Sequence, residues 1–553
     1  MAEFTYRFRA PIAPPEAGGI GMPAYRQTVA DGMRIERDVA VPLRDGTRIY
    51  IDLFRPVDES NPVPVLIGWS PYGKHARIQY DVFFPGSEVN PDHVSSYAAF
   101  EGPDPLYWVP RGYAVINADI RGVWNSEGKA TFFSPEEAQD FYDLIEWAGT
   151  QPWSNGKVGL TGVSYLAVMQ WRVAELHPPH LAAINPWEGW TDTYREVATH
   201  GGIPDSWFWP FLQTQMTFGR FEVEDLVAET QAHPFFDAFW ESKAAALERV
   251  TVPAYVVASF SDQGLHLRGT LEGFKRIASP QKWLEVHRRK KWAYYYQPES
   301  KERLKWFFDH FLKGESDAVL SWPRVRYELA HRFYVGTWRE ARDWPLPETR
   351  YIKFYLDTAR GTLDTAPAPT TSHAVYHSLG GGPGPHRATF DWVFTEPTDV
   401  VGHMAVRLYM AAEEGEDLDV FVAIWKLDRE GQVVPFPYYA QFNDGPVALG
   451  WIRASHRELD PERSTEFQPV LAHRRALPVR PGEIVPLDIE IWPSATHFDA
   501  GEGLRLVVQG TDVNKYPKPA VYCRHEESVN RGLHRVYTGG PYPAYLLLPI
   551  VSA

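Results

Sequence analysis

Short apolar segments alternate with helical segments through the first half of the chain, and this alternation restricts the fold more than any other feature. The runs PVLIGW, YAVINADI, VGLTG, LAAINPW, PAYVVASF and KWLEVH each have the length and composition of a buried strand. A helix is expected after Ser134, where serine, proline and glutamate occupy the positions of a helix cap, and it should end near Pro152. Strands that alternate with helices need crossover connections, so the pattern predicts a mostly parallel sheet with helices on both faces.

Three regions depart from this alternation. Residues 33–57 form two alternating segments around the turn signal Asp45-Gly46, which predicts a hairpin. Residues 190–250 are rich in aromatic and helical segments, which indicates a cap, and from about residue 325 nearly every segment alternates like a strand. A chain of 553 residues is too long for one core. We therefore predict a sheet domain of residues 1–189 and 251–318, a helical cap of 190–250 and a jelly-roll β-sandwich of 319–553.

Charge and cysteine content exclude several classes of protein. The formal net charge of −15 opposes binding to nucleic acid or to an anionic membrane, because such partners require a basic face. Cys523 is the single cysteine, which excludes an internal disulfide framework and a multi-cysteine zinc site, and we expect it to be buried. The first residues, MAEFTYRFRAPIAPPEAGG, lack an apolar targeting segment, and no long uncharged apolar run occurs. The sequence therefore predicts a soluble, cytoplasmic protein and leaves a homo-oligomer open.

Ser164 lies at the junction between the predicted strand VGLTG and the helix that follows it. A tight strand-to-helix turn exposes a hydroxyl, and the helix amino terminus favours the negative charge that develops during nucleophilic attack. Gly162 suits the close backbone approach of such a turn. The GxSxG pattern of nucleophilic serines also requires glycine at 166, where this chain has Leu166, so the motif alone leaves open an ordinary serine at a helix start.

Candidate partners for Ser164 follow in the order that an α/β-hydrolase requires, an acid and then a histidine, each after a strand. Asp262 follows PAYVVASF, and His287 ends KWLEVH. A neutral imidazole accepts the serine proton, and a carboxylate on its other nitrogen fixes the tautomer. We therefore predict a triad of Ser164, Asp262 and His287. His266 is the alternative base, ranked second because it falls inside a predicted helix.

Cleavage of an acyl group also needs donors directed at the oxyanion and a pocket for the substrate. The backbone N–H of Tyr165 is one donor by position, and the phenol of Tyr72 in WSPYGK is the second candidate. Trp207, Trp209 and Phe211 in the cap are candidate substrate-binding residues, with packing inside the cap as the alternative. The histidines show no HExxH spacing and no phosphate-binding loop occurs, so we expect neither a metal nor a cofactor.

Several motifs together resemble the CocE/NonD serine hydrolases, a family of esterases, acylases and X-prolyl dipeptidyl-peptidases. They are SPYGK, ADIRGVWNSEG, PWSNGKVG, VGLTGVSYLAVMQW, SDQGLH, WLEVHRRKKW and PGEIVPLDIEIWPSATHFDAGEGLRL. The resemblance covers nearly the whole chain and implies an α/β-hydrolase fold with a helical cap and a jelly-roll domain. It also implies the triad and oxyanion residues given above. The family's GxSYxG elbow places its second glycine at 167, where this chain has Ala167, still a small residue.

These features favour a carboxylic ester hydrolase that forms an acyl-enzyme on a small-molecule ester or amide substrate. An amidase, acylase or X-Pro-type aminopeptidase with the same triad is the alternative. It would need a carboxylate for the substrate amine, and Glu188, Asp192 and Asp205 are nearby candidates. A non-catalytic carbohydrate-binding protein is the third interpretation.

Overall fold

The structure is a computed structural model that describes residues 5–13, 21–75, 78–381 and 384–551. The predicted lack of a targeting segment concerns residues 1–19, of which 1–4 and 14–19 lie outside the described residues. None of the helices in the described ranges is both long enough and apolar enough to cross a bilayer.

A long twisted sheet organises the first part of the chain. In spatial order its strands are Arg26–Ala30, Met33–Pro42, Arg48–Pro56, Ala114–Asp119, Val63–Ser70, Ser154–Val163, Leu181–Trp187, Ala254–Ser259, Lys282–His287, Val325–Arg332 and Val335–Ala341. Every pairing from Ala114–Asp119 to Val325–Arg332 is parallel, so the predicted parallel sheet is confirmed. The predicted hairpin is also present, with Gly46 at a φ of 87° in its turn.

Helices connect the parallel strands and cover the sheet. The main ones are Pro135–Gly149, Tyr165–Ala174, Leu267–Arg276, Lys291–Tyr296 and Pro298–Phe308, with short helices Tyr80–Phe83 and Pro105–Trp108. The Ser134 side chain caps the first of them by accepting a hydrogen bond from the backbone N–H of Glu137 at 3.0 Å, as its sequence predicts. A continuous apolar core fills the space between these helices and the sheet.

Residues 188–253, between the strands Leu181–Trp187 and Ala254–Ser259, contain short helices. They are Tyr194–Ala198, Phe208–Phe211, Leu212–Met216, Leu226–Ala232, Ala238–Ser242 and Leu247–Arg249, with the small strand pairs Thr199–His200 with Ile203–Pro204 and Phe8–Arg9 with Val223–Glu224. Aromatic side chains pack densely within this segment.

The last part of the chain is almost entirely antiparallel β and has a second apolar core. Its strands are Arg350–Asp357, Thr362–Asp364, Ser372–His377, Arg387–Val393, Thr398–Ala412, Asp419–Leu427, Val433–Val434, Phe436–Tyr438, Phe442–Gly445, Ala448–Arg453, Val485–Phe498, Gly503–Gln509, Leu533–Thr538 and Tyr545–Val551. The strand Val325–Arg332 pairs with Lys282–His287, with Val335–Ala341 and, through Ala330, with Val485–Phe498, so it joins the parallel sheet to this region. Cys523 is buried, as expected.

Candidate active site

Ser164 occupies a strained turn between the strand Ser154–Val163 and the helix Tyr165–Ala174. Its φ of 61° and ψ of −118° are unusual for a residue with a side chain. Backbone hydrogen bonds stabilise the turn: the N–H of Ser164 lies 3.1 Å from the carbonyl oxygens of both Trp187 and Glu188. The hydroxyl is therefore presented at the carboxyl edge of the sheet, at the amino terminus of a buried helix.

Buried polar contacts fix the first turn of that helix. The Tyr165 hydroxyl donates to Glu137 at 2.8 Å, and the Trp69 indole donates to the same carboxyl oxygen at 3.0 Å. Burial raises the pKa of Glu137 to about 7, opposed by these two hydrogen bonds. Glu137 therefore ties the helix that follows Ser164 to a neighbouring strand and to the helix Pro135–Gly149.

His266 is the imidazole that contacts Ser164. Its Nε2 lies 3.0 Å from the Ser164 Oγ, and its Nδ1 is hydrogen-bonded to the Asp262 carboxylate. Both residues lie in the loop between the strand Ala254–Ser259 and the helix Leu267–Arg276, and the Trp190 ring stacks on His266 at a centroid distance of 5.5 Å. The arrangement of hydroxyl, imidazole and carboxylate is the one that activates a serine nucleophile.

His287 does not contact Ser164, so its predicted place in the triad is corrected. It is the last residue of the strand Lys282–His287, and its ring stacks on Tyr294 with the centroids 3.9 Å apart. Its Nδ1 accepts a hydrogen bond from the backbone N–H of Arg289, and its Nε2 lies 3.1 Å from Glu188. The strand holds His287 behind Asp262, whereas the spacing of four residues between Asp262 and His266 brings those two side chains together.

The electrostatics of this cluster suit a neutral base beside an ionised acid. Burial, reinforced by the Lys291 ammonium, lowers the pKa of His266 to about 4, against the attraction of Asp262. Burial opposes ionisation of Asp262, but Lys291 and His266 outweigh it and hold the pKa of Asp262 below its usual range. His266 is therefore neutral at neutral pH and able to accept the proton of Ser164.

Tyr72 and Tyr165, the two predicted oxyanion residues, both lie next to Ser164. The Tyr72 side chain lines the same cavity as Ser164, and burial raises the pKa of this phenol well above its ordinary value, so the group keeps its proton. Tyr165 begins the helix, and its backbone N–H therefore has no partner within the helix.

A small cavity of about 50 Å³ lies over Ser164. Its lining is mostly apolar and comprises Tyr72, Phe84, Phe100, Glu101, Ser164, Phe208, Phe211, Leu212, Met216, Leu265, Lys291, Trp292, Tyr439, Ala440, Gln441 and Val521. The volume holds a few water molecules, so a bulky substrate must displace side chains to enter. Residues of the antiparallel β region close one side of the cavity, and no sequence signal indicated them.

Only one of the three predicted pocket aromatics lines this cavity. Phe211 does, together with Phe208 and Leu212, because positions separated by three and four residues share one face of a helix. Trp209 points away and packs on Phe133 and Trp190, while the Trp207 indole donates to the carbonyl of Ala520 at 3.0 Å. The expectation that Trp207 and Trp209 line this cavity is therefore corrected.

Among the described residues, two clusters bring three possible metal-ligating atoms within 4.8 Å of one another. They are Asp38, Asp52 and His75, and Glu188, Asp262 and His266. The Lys74 ammonium lies 2.6 Å from Asp38 and 3.1 Å from Asp52, and the Lys291 ammonium lies 3.6 Å from Asp262. A cation already neutralises each cluster, so we assign no metal to either.

A solved structure of a CocE/NonD family hydrolase from Staphylococcus aureus is 41% identical to this chain and superposes on it with a TM-score of 0.90. The alignment covers 96% of this chain and 96% of that chain. This chain belongs to the CocE/NonD family of hydrolases. The family model of the X-Pro dipeptidyl-peptidase (S15 family) also matches residues 45–222, and that of the X-Pro dipeptidyl-peptidase C-terminal non-catalytic domain matches residues 318–547.

Curated relatives of this CocE/NonD hydrolase include both esterases and peptidases. Cocaine esterase from Rhodococcus sp. (strain MB1 Bresler) is 26% identical, over 94% of this chain and 99% of the esterase. A putative Xaa-Pro dipeptidyl-peptidase from Bacillus anthracis is 25% identical, over 61% of this chain and 62% of that protein. The family resemblance seen in the motifs is confirmed, and the protein is a hydrolase.

Proposed function

We propose that this CocE/NonD hydrolase cleaves carboxylic esters through an acyl-enzyme formed on Ser164. The observation that supports the proposal most directly is the 3.0 Å contact between Ser164 Oγ and His266 Nε2, with Asp262 on the other ring nitrogen. Tyr72 and the Tyr165 amide supply the oxyanion donors. The proposal also includes an α/β-hydrolase domain, a helical cap and a jelly-roll domain with the boundaries predicted above, and a cytoplasmic location.

The residues act in a defined order in this scheme. His266 removes the Ser164 proton as Oγ attacks the ester carbonyl carbon, and the resulting oxyanion accepts hydrogen bonds from Tyr72 and Tyr165. Asp262 stabilises the imidazolium. The imidazolium then gives its proton to the departing alcohol oxygen, which leaves the acyl group on Ser164. A water molecule, deprotonated by His266, then attacks the acyl carbon; the bond to Ser164 Oγ breaks as the imidazolium returns its proton to Oγ, and the acid leaves.

The first experiment compares Ser164→Ala and His266→Gln with the wild type on a p-nitrophenyl ester. We expect each variant to lose on the order of 10⁴-fold in kcat, since the members of such a unit act together. A fluorophosphonate probe should label the wild type and leave Ser164→Ala unlabelled, while the two proteins have similar thermal midpoints. Turnover by a folded Ser164→Ala variant would reject the proposal.

A peptidase or amino-ester hydrolase with the same triad is the second candidate, and Glu101 favours it. This carboxyl is buried and lines the cavity with Ser164, and its Oε2 has no hydrogen-bond partner among the described residues. Burial raises the pKa of Glu101 to about 8, and a substrate ammonium would favour its ionised form. Faster hydrolysis of X-Pro anilides than of p-nitrophenyl esters would select this candidate.

A further inference from the structure

A buried chain of polar groups continues behind the proposed triad, from Asp262 through Glu188 to His287. All three residues have a relative exposure of 0%. The Glu188, Asp262 and His266 side chains bring polar atoms within 4.8 Å of one another, and the Glu188 Oε1 lies 3.1 Å from the His287 Nε2. Buried polar atoms need partners within the protein, so the protonation of this chain has to satisfy each of them.

The backbone of Glu188 is fixed between the nucleophile and the neighbouring strand. Its N–H donates to the carbonyl of Val257 at 2.8 Å, and its carbonyl accepts the N–H of Ser164 at 3.1 Å. The residue has a φ of 52°, a conformation that a residue with a side chain adopts only where its surroundings hold it. These contacts keep the Glu188 carboxyl beside Asp262.

Two carboxyl groups in contact in a dry site do not both ionise. The Lys291 ammonium lies 3.6 Å from Asp262, and His266 also stabilises the charge on that residue. Burial and the negative charge of Asp262 raise the pKa of Glu188 well above its ordinary value. Two ionised carboxylates have no proton to share, and Asp262 Oδ1, both Glu188 oxygens and His287 Nε2 have no hydrogen bond of good geometry among the described residues.

His287 provides the next donor in the chain. Its Nδ1 accepts the backbone N–H of Arg289 at 3.1 Å, and burial lowers its pKa well below the ordinary value. The neutral ring therefore carries its proton on Nε2, which faces Glu188. Stacking on Tyr294 fixes the plane of the ring.

We infer that Glu188 is a protonated positioning residue, anchored by His287, that donates a hydrogen bond to Asp262 and so fixes the carboxylate that orients His266. This inference rests on the proposed function, which assigns His266 and Asp262 as base and acid. The hydrogen bond also weakens the attraction of Asp262 for the His266 proton. Glu188 thus affects both the geometry and the basicity of His266 without touching the substrate.

The charged and titratable groups around this pair come from several elements. They are Asp262 and His266 in one loop, Lys291 at the start of a helix, Glu101 in the cavity wall, and His287 at the end of a strand. The charge of Arg289 acts on His287. Burial raises the pKa of Glu101 to about 8, and burial together with the Lys291 ammonium lowers the pKa of His266 to about 4. The acid limb of kcat/KM therefore reports on His266.

Two substitutions at Glu188 test whether its hydrogen bonds to Asp262 and His287 matter. Glu188→Gln keeps a donor for Asp262 and an acceptor for His287, whereas Glu188→Leu removes both at similar volume. We expect Glu188→Gln to retain kcat within roughly threefold of the wild type and to keep its acid limb. Glu188→Leu should lose roughly tenfold or more in kcat and shift the acid limb to higher pH, because Asp262 then holds the His266 proton more strongly.

His287→Phe is the matched variant at the other end of the chain. It keeps a ring to stack on Tyr294 but removes the Nε2 donor. We expect its acid limb to move in the same direction as that of Glu188→Leu and by a smaller amount. An acid limb equal to that of the wild type in folded His287→Phe would overturn the role of His287.

An infrared measurement tests the proton on Glu188 without using activity. At neutral pH the wild type should show a carboxylic-acid C=O stretching band that is missing from Glu188→Gln, and this readout serves even if Glu188→Leu does not fold. A missing band, a loss of more than about tenfold in kcat for Glu188→Gln, or wild-type kinetics in folded Glu188→Leu would each overturn the inference. Fluorophosphonate labelling of the wild type but not of Ser164→Ala would leave the proposed function standing in all three cases.

Discussion

At the scale of single residues, the basicity of His266 sets the pH range of the proposed reaction. Burial and the Lys291 ammonium lower its pKa to about 4, and the attraction of Asp262 offsets only part of this effect. The base acts only in its neutral form. Nearly every enzyme molecule therefore has a neutral His266 at neutral pH, and kcat/KM should fall as the pH drops through about 4.

Replacing Lys291 tests this account. Its Nζ lies 3.3 Å from the His266 Nδ1 and opposes an imidazolium there. We expect Lys291→Gln to raise the pKa of His266 and to move the acid limb of kcat/KM upward by on the order of one pH unit. The measurement is the hydrolysis of a p-nitrophenyl ester across the acidic range, with circular dichroism confirming the fold at each pH.

Lys290→Gln is the matched control for that variant. The Lys290 ammonium contacts the carbonyl of Gly86 at 2.6 Å and the carboxylate of Glu88 rather than the triad. The acid limb of kcat/KM in Lys290→Gln should coincide with that of the wild type. The same acid limb in the wild type, Lys290→Gln and Lys291→Gln would show that Lys291 does not set the basicity of His266.

At the scale of elements, the turn around Ser164 depends on close packing between a strand and a helix. Gly162 has a φ of 144°, and a Cβ placed on it would lie 2.7 Å from the Leu166 Cβ and 3.0 Å from the Glu101 carbonyl oxygen. The turn therefore requires glycine for both its backbone conformation and its space. Any relief of such a clash moves the helix that begins directly after Ser164.

Gly162→Ala should consequently impair catalysis as well as stability. We expect a lower thermal midpoint and a loss of roughly 100-fold in kcat, because small displacements of reacting groups are costly. Gly156→Ala in the same strand is the control, since Gly156 also has a positive φ of 84° but its nearest neighbour is 3.9 Å away. It should lower the midpoint and keep kcat; equal kcat values in the two variants would contradict the argument.

Individual strands and helices are the features that the sequence predicts best. Strands and helices follow from local patterns, so the parallel sheet, the hairpin and the helix capped by Ser134 were all anticipated. Its position at a strand end predicts His287 as the base, whereas the structure places His266, four residues after Asp262, against Ser164. Glu188, directly after the strand Leu181–Trp187, was noted only as a carboxylate for a substrate amine.

Local sequence patterns do not predict contacts between distant parts of the chain. Tyr439 of the antiparallel region lines the cavity over Ser164, and its hydroxyl donates to the carbonyl of Gly264 at 3.1 Å. No periodicity links residues this far apart in sequence. Likewise Trp207 and Trp209 lie close to Phe211 in the sequence. The orientation of the short helix decides that only Phe211 of the three faces the cavity.

At the scale of the whole molecule, Arg268 ties the loop that carries Asp262 and His266 to both neighbouring regions. It lies on the helix that follows His266, and its guanidinium is 2.8 Å from Glu196 in the segment 188–253 and 2.9 Å from Glu490 in the antiparallel region. The Arg268 and Glu196 side chains are 4% and 0% exposed. Burial raises the pKa of Glu196 to about 7, and Arg268 opposes that rise, so the carboxylate depends on its partner.

Arg268→Leu should therefore lower stability and activity together. Removing one partner of a buried ion pair leaves an uncompensated carboxyl and costs about 3–5 kcal/mol. We expect a clearly lower thermal midpoint and a loss of roughly tenfold in kcat, since the same helix positions His266. Arg276→Gln on that helix is the control, because its pair with Glu248 is 34% and 63% exposed and worth about 0–1 kcal/mol. If both variants melted and turned over alike, the three regions would not be coupled through Arg268.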